Sequence, residues 1–347
     1  MTTDANGLIQ LHLGLGSFHR AHQAVYMQNL HDSGDNSWHI VGGNLRPDMQ
    51  STMDALKAQG GAYTLETVSP AGERKYQKIT SIQSIIDYDA ELKGLIEVAS
   101  DPATRIISFT VTEAGYYQDE HHQLDASYAD LKTDLAGDTR CTIYGAVAAL
   151  LAARMDSKAG PVTLLNCDNL RSNGHRFSHG LEQFLQLRGE TELLEWVKEN
   201  TSAPSSMVDR ITPRPTADVR ERVLAATGVD DAAALMGEDF IQWVIEDEFS
   251  VGRPKWEKVG AQFVADVAPY ERMKLSLLNA GHSVVGILGA LMGYQTIDEA
   301  VKDPAIRAFL VSFLDKEVTP SLGELAGVNL RDYKTALIER FGNIHIK

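Results

Sequence analysis

An amine, an amide and an imidazole sit inside the apolar stretch ERMKLSLLNAGHSVVG, residues 271–286, as Lys274, Asn279 and His282. Each is costly to bury without a partner. On an α-helix, at about 100° per residue, Glu271, Lys274, Asn279 and His282 fall within an arc of about 140°. Leu275, Leu278 and Val285 cover much of the remainder. Burial disfavours the charged form of a lysine and lowers its pKa from about 10.4 towards neutrality. A neutral amine is a competent general base. It would take the proton of an alcohol while a hydride leaves the same carbon for a nicotinamide. The nascent alkoxide needs donors, which Asn279 would supply from the helix and Asn169 from the opposite wall. His282 would orient the lysine or bond a neighbouring hydroxyl, and Glu271 would relay the proton to solvent. Taken singly, a snorkelling Lys, a structural Asn and a satisfied core His explain these residues. Three on one face favour a reaction centre with a hydrophobic wall.

Such a centre needs a cofactor site. GLGSFHRAH, residues 14–22, follows a strand-like run and opens a helix. Gly14 and Gly16 would allow a tight turn and close approach to a pyrophosphate, with Ser17 and Phe18 beginning the helix whose amides stabilise its charge. The third glycine of the usual fingerprint is replaced by His19, which should hold the helix further from the strand. The next strand ends in GGNLRPD, giving Asn44, Arg46 and Asp48. Asp48 would bind the 2'-hydroxyl of NAD and Arg46 the 2'-phosphate of NADP, so NAD is expected with NADP open. His19 and His22 form HxxH, but no Cys pair accompanies them and the pair reads as structural, with no metal site.

The rhythm of the first half is that of a parallel α/β sheet. Strands are expected over 8–16, 38–44, 105–116 and 161–169, and a helix over 22–34. Because ligands bind beyond the carboxyl ends of such strands, Thr112, Glu113, Asp168 and Asn169 are placed for function. Residues 202–215 read as loop, and long helices are expected over 270–294 and 304–316. A Rossmann-like α/β domain over residues 1–265 followed by a mainly helical substrate domain over 266–347 is the predicted organisation.

The totals constrain partners. The 347 residues carry a formal charge of -15, which argues against nucleic acid or an anionic membrane surface. The two cysteines, Cys141 and Cys167, build no disulfide framework and fit a reducing compartment. The start, MTTDANGLIQ, lacks the pattern of a signal peptide, so a cytoplasmic location is expected. Leu275–Tyr294 is about long enough to span a membrane but contains polar residues, and reads as a buried helix.

GLGSFHRAHQAVY, FTVTEAGYY, CDNLRSNG, SMVDRITPRP, FIQWVIEDEF and KLSLLNAGH, in this order, resemble the polyol-specific long-chain dehydrogenases and reductases. That family includes mannitol 2-dehydrogenase, D-arabinitol 4-dehydrogenase and fructuronate reductase. The similarity covers nearly the whole chain, and the K-x4-N-x2-H spacing is its most specific signature. The resemblance implies zinc-independent hydride transfer between NAD(P) and a linear polyol or its ketose. It assigns the base to Lys274, the oxyanion site to Asn279 and Asn169, and the family's histidine to His282. Glu271 and Asp209 match positions implicated in proton exit and substrate contact, and Glu113 is taken as a further substrate contact. Relatives continue beyond the segment matching RFGNIHIK, so the chain is read as shortened relative to the family. A monomer or weak homo-oligomer is expected. A uronate reductase, and a nucleotide-binding protein without turnover, are the alternative readings.

Overall fold

The runs LIQLHL and VTLLN are buried on both faces, as strands covered on both sides must be, with Gln10 and His12 the polar residues of the first. The computed structural model describes residues 7–346 except 324 and 326. The first six residues and Lys347, on which the readings of both chain ends rest, lie outside it. Six strands form one parallel sheet: β1 (Leu8–Leu13), β2 (Trp38–Gly43), β3 (Ile82–Ile86), β4 (Thr104–Phe109), β5 (Val162–Asn166) and β6 (Thr201–Ser202). Their order is 3-2-1-4-5-6, with every neighbouring pair parallel. The order reverses between β1 and β4, so the crevice for a ligand opens beyond Leu13 and Phe109.

The expected strands are present, though shorter at their carboxyl ends. The chain leaves β4 at Phe109 and makes a short 3-10 turn over Glu113–Tyr116. The expected helix over 22–34 is present as Gln23–Asp32, and a separate short helix, Ser17–Ala21, precedes it across a break at His22. The reading of 202–215 as loop needs correction. Ser206–Asp209 is a fully buried strand, antiparallel to Gln242–Glu246. Prolines on both sides give this short strand the composition of a loop.

The C-terminal helices begin at Ala268, with Pro269 in the first turn. Met273, Leu277, Val285, Leu310, Leu314 and Phe341 belong to their common core. The long helix runs from Ala268 to Met292, interrupted by a π turn over Leu275–Asn279, and ends at Gly293 with φ +89°. By length and composition it is apolar enough to cross a membrane. The expectation that it is buried is only partly met. Ile287, Leu291 and Met292 are exposed, because the neighbouring helices cover its other face, at Val285 and Gly289.

One glycine fixes how the site-bearing loop after β5 is held. Helix Asn173–Arg188 starts against residues 203–204, and a Cβ on Gly174 would lie 2.2 Å from the carbonyl oxygen of Ala203. Its neighbour Asn173 donates to the carbonyls of Asp168 (2.9 Å) and Ser206 (2.8 Å) and accepts from the Ser206 amide (2.9 Å). Gly174→Ala forces these backbones apart and is expected to cost about 1–3 kcal/mol of stability. Urea unfolding measures this, and an unchanged midpoint would show that residues 203–204 yield freely.

Candidate active site

The glycine turn forms as its sequence requires. Gly14 has φ +101°, and Gly16 caps the short helix Ser17–Ala21. His19 fills the place of the missing glycine. Its ring stacks on that of His12 in β1, with centroids 3.4 Å apart, and so spaces helix from strand. Burial lowers the His19 pKa to about 3, so the ring is neutral. His22 lies between the Gln242 carbonyl (2.8 Å) and the Gln23 amide (3.0 Å). Both histidines of HxxH thus have protein partners.

A cleft of about 590 Å³ opens over this turn, lined by Gly14, Gly16, Asn44, Arg46, Asp48 and Thr112 among others. Asn44 accepts from the Leu15 amide (3.1 Å) and donates to the Asp48 carbonyl (3.3 Å), tying the end of β2 to the turn. Arg46 reaches across to Asp130 (2.8 Å), the Tyr117 hydroxyl (2.8 Å) and the Cys141 carbonyl (3.3 Å). Asp48 is exposed. Ser17 opens its helix, while Phe18 faces the next cavity and stacks on His22.

That next cavity, about 510 Å³, shares Thr110, Val111 and Thr112 with the cleft over the glycine turn. Lys274, Asn279, Asn169, Asp209, Glu113 and Phe18 are among its lining residues. Residues predicted from four separate stretches therefore meet beside the glycine turn. The π turn contributes. Its Ala280 amide bonds the carbonyl of Leu275, five residues back. On a regular helix Asn279 would point about 140° away from Lys274. Taking in the extra residue brings the amide round to the lysine's side.

The amine of Lys274 is the polar centre of this cavity. The residue is 7% exposed, and Nζ donates to Asn169 Oδ1 (2.7 Å) and to the Val208 carbonyl (2.6 Å). Burial lowers its pKa; Arg340 adds to this, while Asp209 and Glu271 oppose it. Behind it a space of about 20 Å³, enough for a single water, is lined by Lys274 and Glu271. Glu271 is 6% exposed and accepts from the Ser172 amide (2.9 Å), and burial raises its pKa.

His282 is not a partner of the lysine. It is exposed, meets Phe341 edge-on at 5.8 Å, and lines an adjoining cavity of about 380 Å³ that shares Ile211 with the lysine cavity. The orienting role expected of it falls instead to Asn169 and Val208. Asp209 lines the cavity, but its carboxylate is held by Arg340 through two bonds of 3.0 Å. Arg340 also donates to Glu238 (2.6 and 2.8 Å) and lies over the Phe240 ring at 4.1 Å. The sequence reading missed Arg340, since nothing local marks an arginine near the end of a helix as buried.

Asp168 was noted only for its place at the end of a strand. It is 1% exposed, and its carboxylate accepts from the Val111 amide, the Tyr116 hydroxyl and Asn166. Burial pushes its pKa up to about 7 against the pull of those donors. Among the described residues no three His, Cys, Asp or Glu side chains cluster to hold a metal ion.

This arrangement has close counterparts among known proteins. The D-arabinitol 4-dehydrogenase of Ralstonia nicotianae is 53% identical over 344 residues, covering 99% of this chain and 74% of that protein. The enzyme of the same name from Klebsiella pneumoniae is 48% identical, covering 99% and 75%. The solved mannitol 2-dehydrogenase of Pseudomonas fluorescens, a ternary complex with NAD and D-mannitol, superposes with a TM-score of 0.89 at 38% identity. It covers 98% of this chain and 69% of that one. The family profile described as the mannitol dehydrogenase Rossmann domain matches residues 9–258, and that of the mannitol dehydrogenase C-terminal domain matches residues 266–347. A parallel 3-2-1-4-5-6 sheet with a glycine turn, joined to a helical unit that carries a buried lysine, therefore belongs to the mannitol dehydrogenase family.

Proposed function

We propose that the chain oxidises a secondary alcohol of a linear five- or six-carbon polyol to the ketose, with Lys274 as general base and without zinc. D-arabinitol to D-xylulose and D-mannitol to fructose are the reactions to try first, since similar proteins bear those substrates' names. We also take the division near residue 265 as a domain boundary, because separate apolar cores lie on either side of it.

The single observation that carries the reading is the bonding of the amine. A neutral amine has two N–H groups and one lone pair. Two acceptors, Asn169 Oδ1 and the Val208 carbonyl, take both N–H groups. The lone pair is then free to accept the alcohol proton. NAD would accept the hydride from the same carbon. With its Oδ1 occupied by the lysine, Asn169 has its NH2 left to donate to the substrate oxygen, and Asn279 supplies a second donor. Glu271, across a space for one water, would pass the proton outward. His282, Asp209 and Glu113 are left to contact the remaining hydroxyls.

NAD is the proposed cofactor. Arg46 is engaged by Asp130 and Tyr117 and is poorly placed for a 2'-phosphate, whereas Asp48 is free to accept from a ribose hydroxyl. Turnover followed at 340 nm is expected to favour NAD over NADP by about tenfold or more in kcat/KM, a difference of about 1.4 kcal/mol. A preference for NADP would reverse this assignment.

Lys274→Ala is expected to lower kcat by about 10²–10⁴-fold while leaving NAD affinity unchanged. Near-normal turnover would reject the base. The pH dependence follows from the sign of the lysine's shift. Polyol oxidation needs the neutral amine, so kcat/KM rises with pH along a limb whose midpoint lies below the ordinary lysine value of 10.5. Ketose reduction needs the ammonium and falls across the same limb. An oxidation limb centred at or above 10.5 would show that the amine is not desolvated during turnover.

A further inference from the structure

The wall between the cofactor and substrate clefts is Thr110–Thr112, and this segment belongs to no helix or strand. Its position has to be set from outside. The carboxylate of Asp168 supplies one tether directly, through the Val111 amide. It supplies a second five residues on, because the Tyr116 hydroxyl of the following turn donates to its other oxygen. Asn166 donates to both the Tyr116 hydroxyl (2.8 Å) and Asp168 (3.3 Å). On the other side, the backbone of Asp168 is fixed by Asn173 (2.9 Å) and continues directly into Asn169, the partner of the Lys274 amine.

We infer that Asp168 is a positioning residue: its buried carboxylate holds the Val111 wall in register with Asn169, and so sets where a nicotinamide and an alcohol meet relative to the lysine. This rests on the polyol dehydrogenase reading. All three groups facing the carboxylate are donors, so they match an acceptor with no hydrogen of its own. Asp168→Asn keeps the shape and the bond from Val111. However, it turns an NH2 towards the Asn166 amide, setting donor against donor there, and takes away the acceptor of the Tyr116 hydroxyl. A misplacement of about 1 Å in a reacting pair is enough to lower a rate about 10²-fold.

The test compares the parent, Asp168→Asn and Tyr116→Phe in three measurements. These are steady-state turnover of D-arabinitol and D-mannitol with NAD, NAD affinity by calorimetry, and backbone amide exchange over residues 110–117. Asp168→Asn is expected to lose about 30- to 100-fold in kcat, with polyol KM and NAD Kd within about threefold of the parent. Tyr116→Phe removes one donor and leaves the fold intact. It should lose about five- to tenfold in kcat with the same flat KM, and it carries the test alone if the first variant does not fold. Amide exchange over 110–117 is expected to rise by about tenfold or more in both variants. Unchanged kcat and unchanged exchange would overturn the proposal. So would a kcat loss accompanied by an equal rise in KM. If the parent itself turns over neither polyol, the functional reading fails, and the exchange measurement still decides whether the tether exists.

Discussion

Everything in the site turns on removing one primary amine from water without leaving it unpartnered. Nζ of Lys274 meets two oxygens of different origin, a side-chain amide at the end of β5 and a main-chain carbonyl in the buried strand Ser206–Asp209. The helix, the sheet and the small antiparallel strand have to arrive together for both bonds to exist. An isolated buried ammonium is prohibitively expensive, whereas a neutral amine with two acceptors is not. The packing that brings these three elements together therefore shifts Lys274 towards its uncharged form.

The same logic explains which parts of the molecule could be read in the residues. The glycine turn was legible because Gly14 sits at φ +101°, a conformation with its own sequence signature. Lys274, Asn279 and Asn169 stood out because polar groups in apolar runs demand partners. The π turn was not legible. A helical wheel assumes a constant 100° per residue, and no residue type announces an extra residue between Leu275 and Asn279. Of the two roles expected of His282, the one beside the lysine consequently fails, since the ring lies in the adjoining cavity. Arg340 was missed for another reason. Its burial depends on Asp209 and Glu238, which are 131 and 102 residues away in the chain. Long-range charge pairing of this kind leaves no local pattern. The exposed half of the helix Ala268–Met292 makes the complementary point, since apolar composition states that a face prefers cover and not what supplies it.

The Arg340 cluster also bears on the lysine. A buried guanidinium flanked by two buried carboxylates is a costly arrangement for stability alone. Its members pull the neighbouring amine in opposite directions: Asp209 favours the ammonium and Arg340 disfavours it. Asp209 and Arg340 are locked together at 3.0 Å and act on Nζ in opposite directions, and desolvation is the largest influence on it. The ion pair thus keeps a carboxylate at the cavity wall while placing a positive charge beside it that opposes its pull on the lysine. An aspartate in that place without its arginine would raise the pKa of the amine and oppose the removal of an alcohol proton near neutral pH. Pairing Asp209 with Arg340 meets both demands of the proposed reaction on one cavity, a polar wall and a lysine shifted towards its uncharged form.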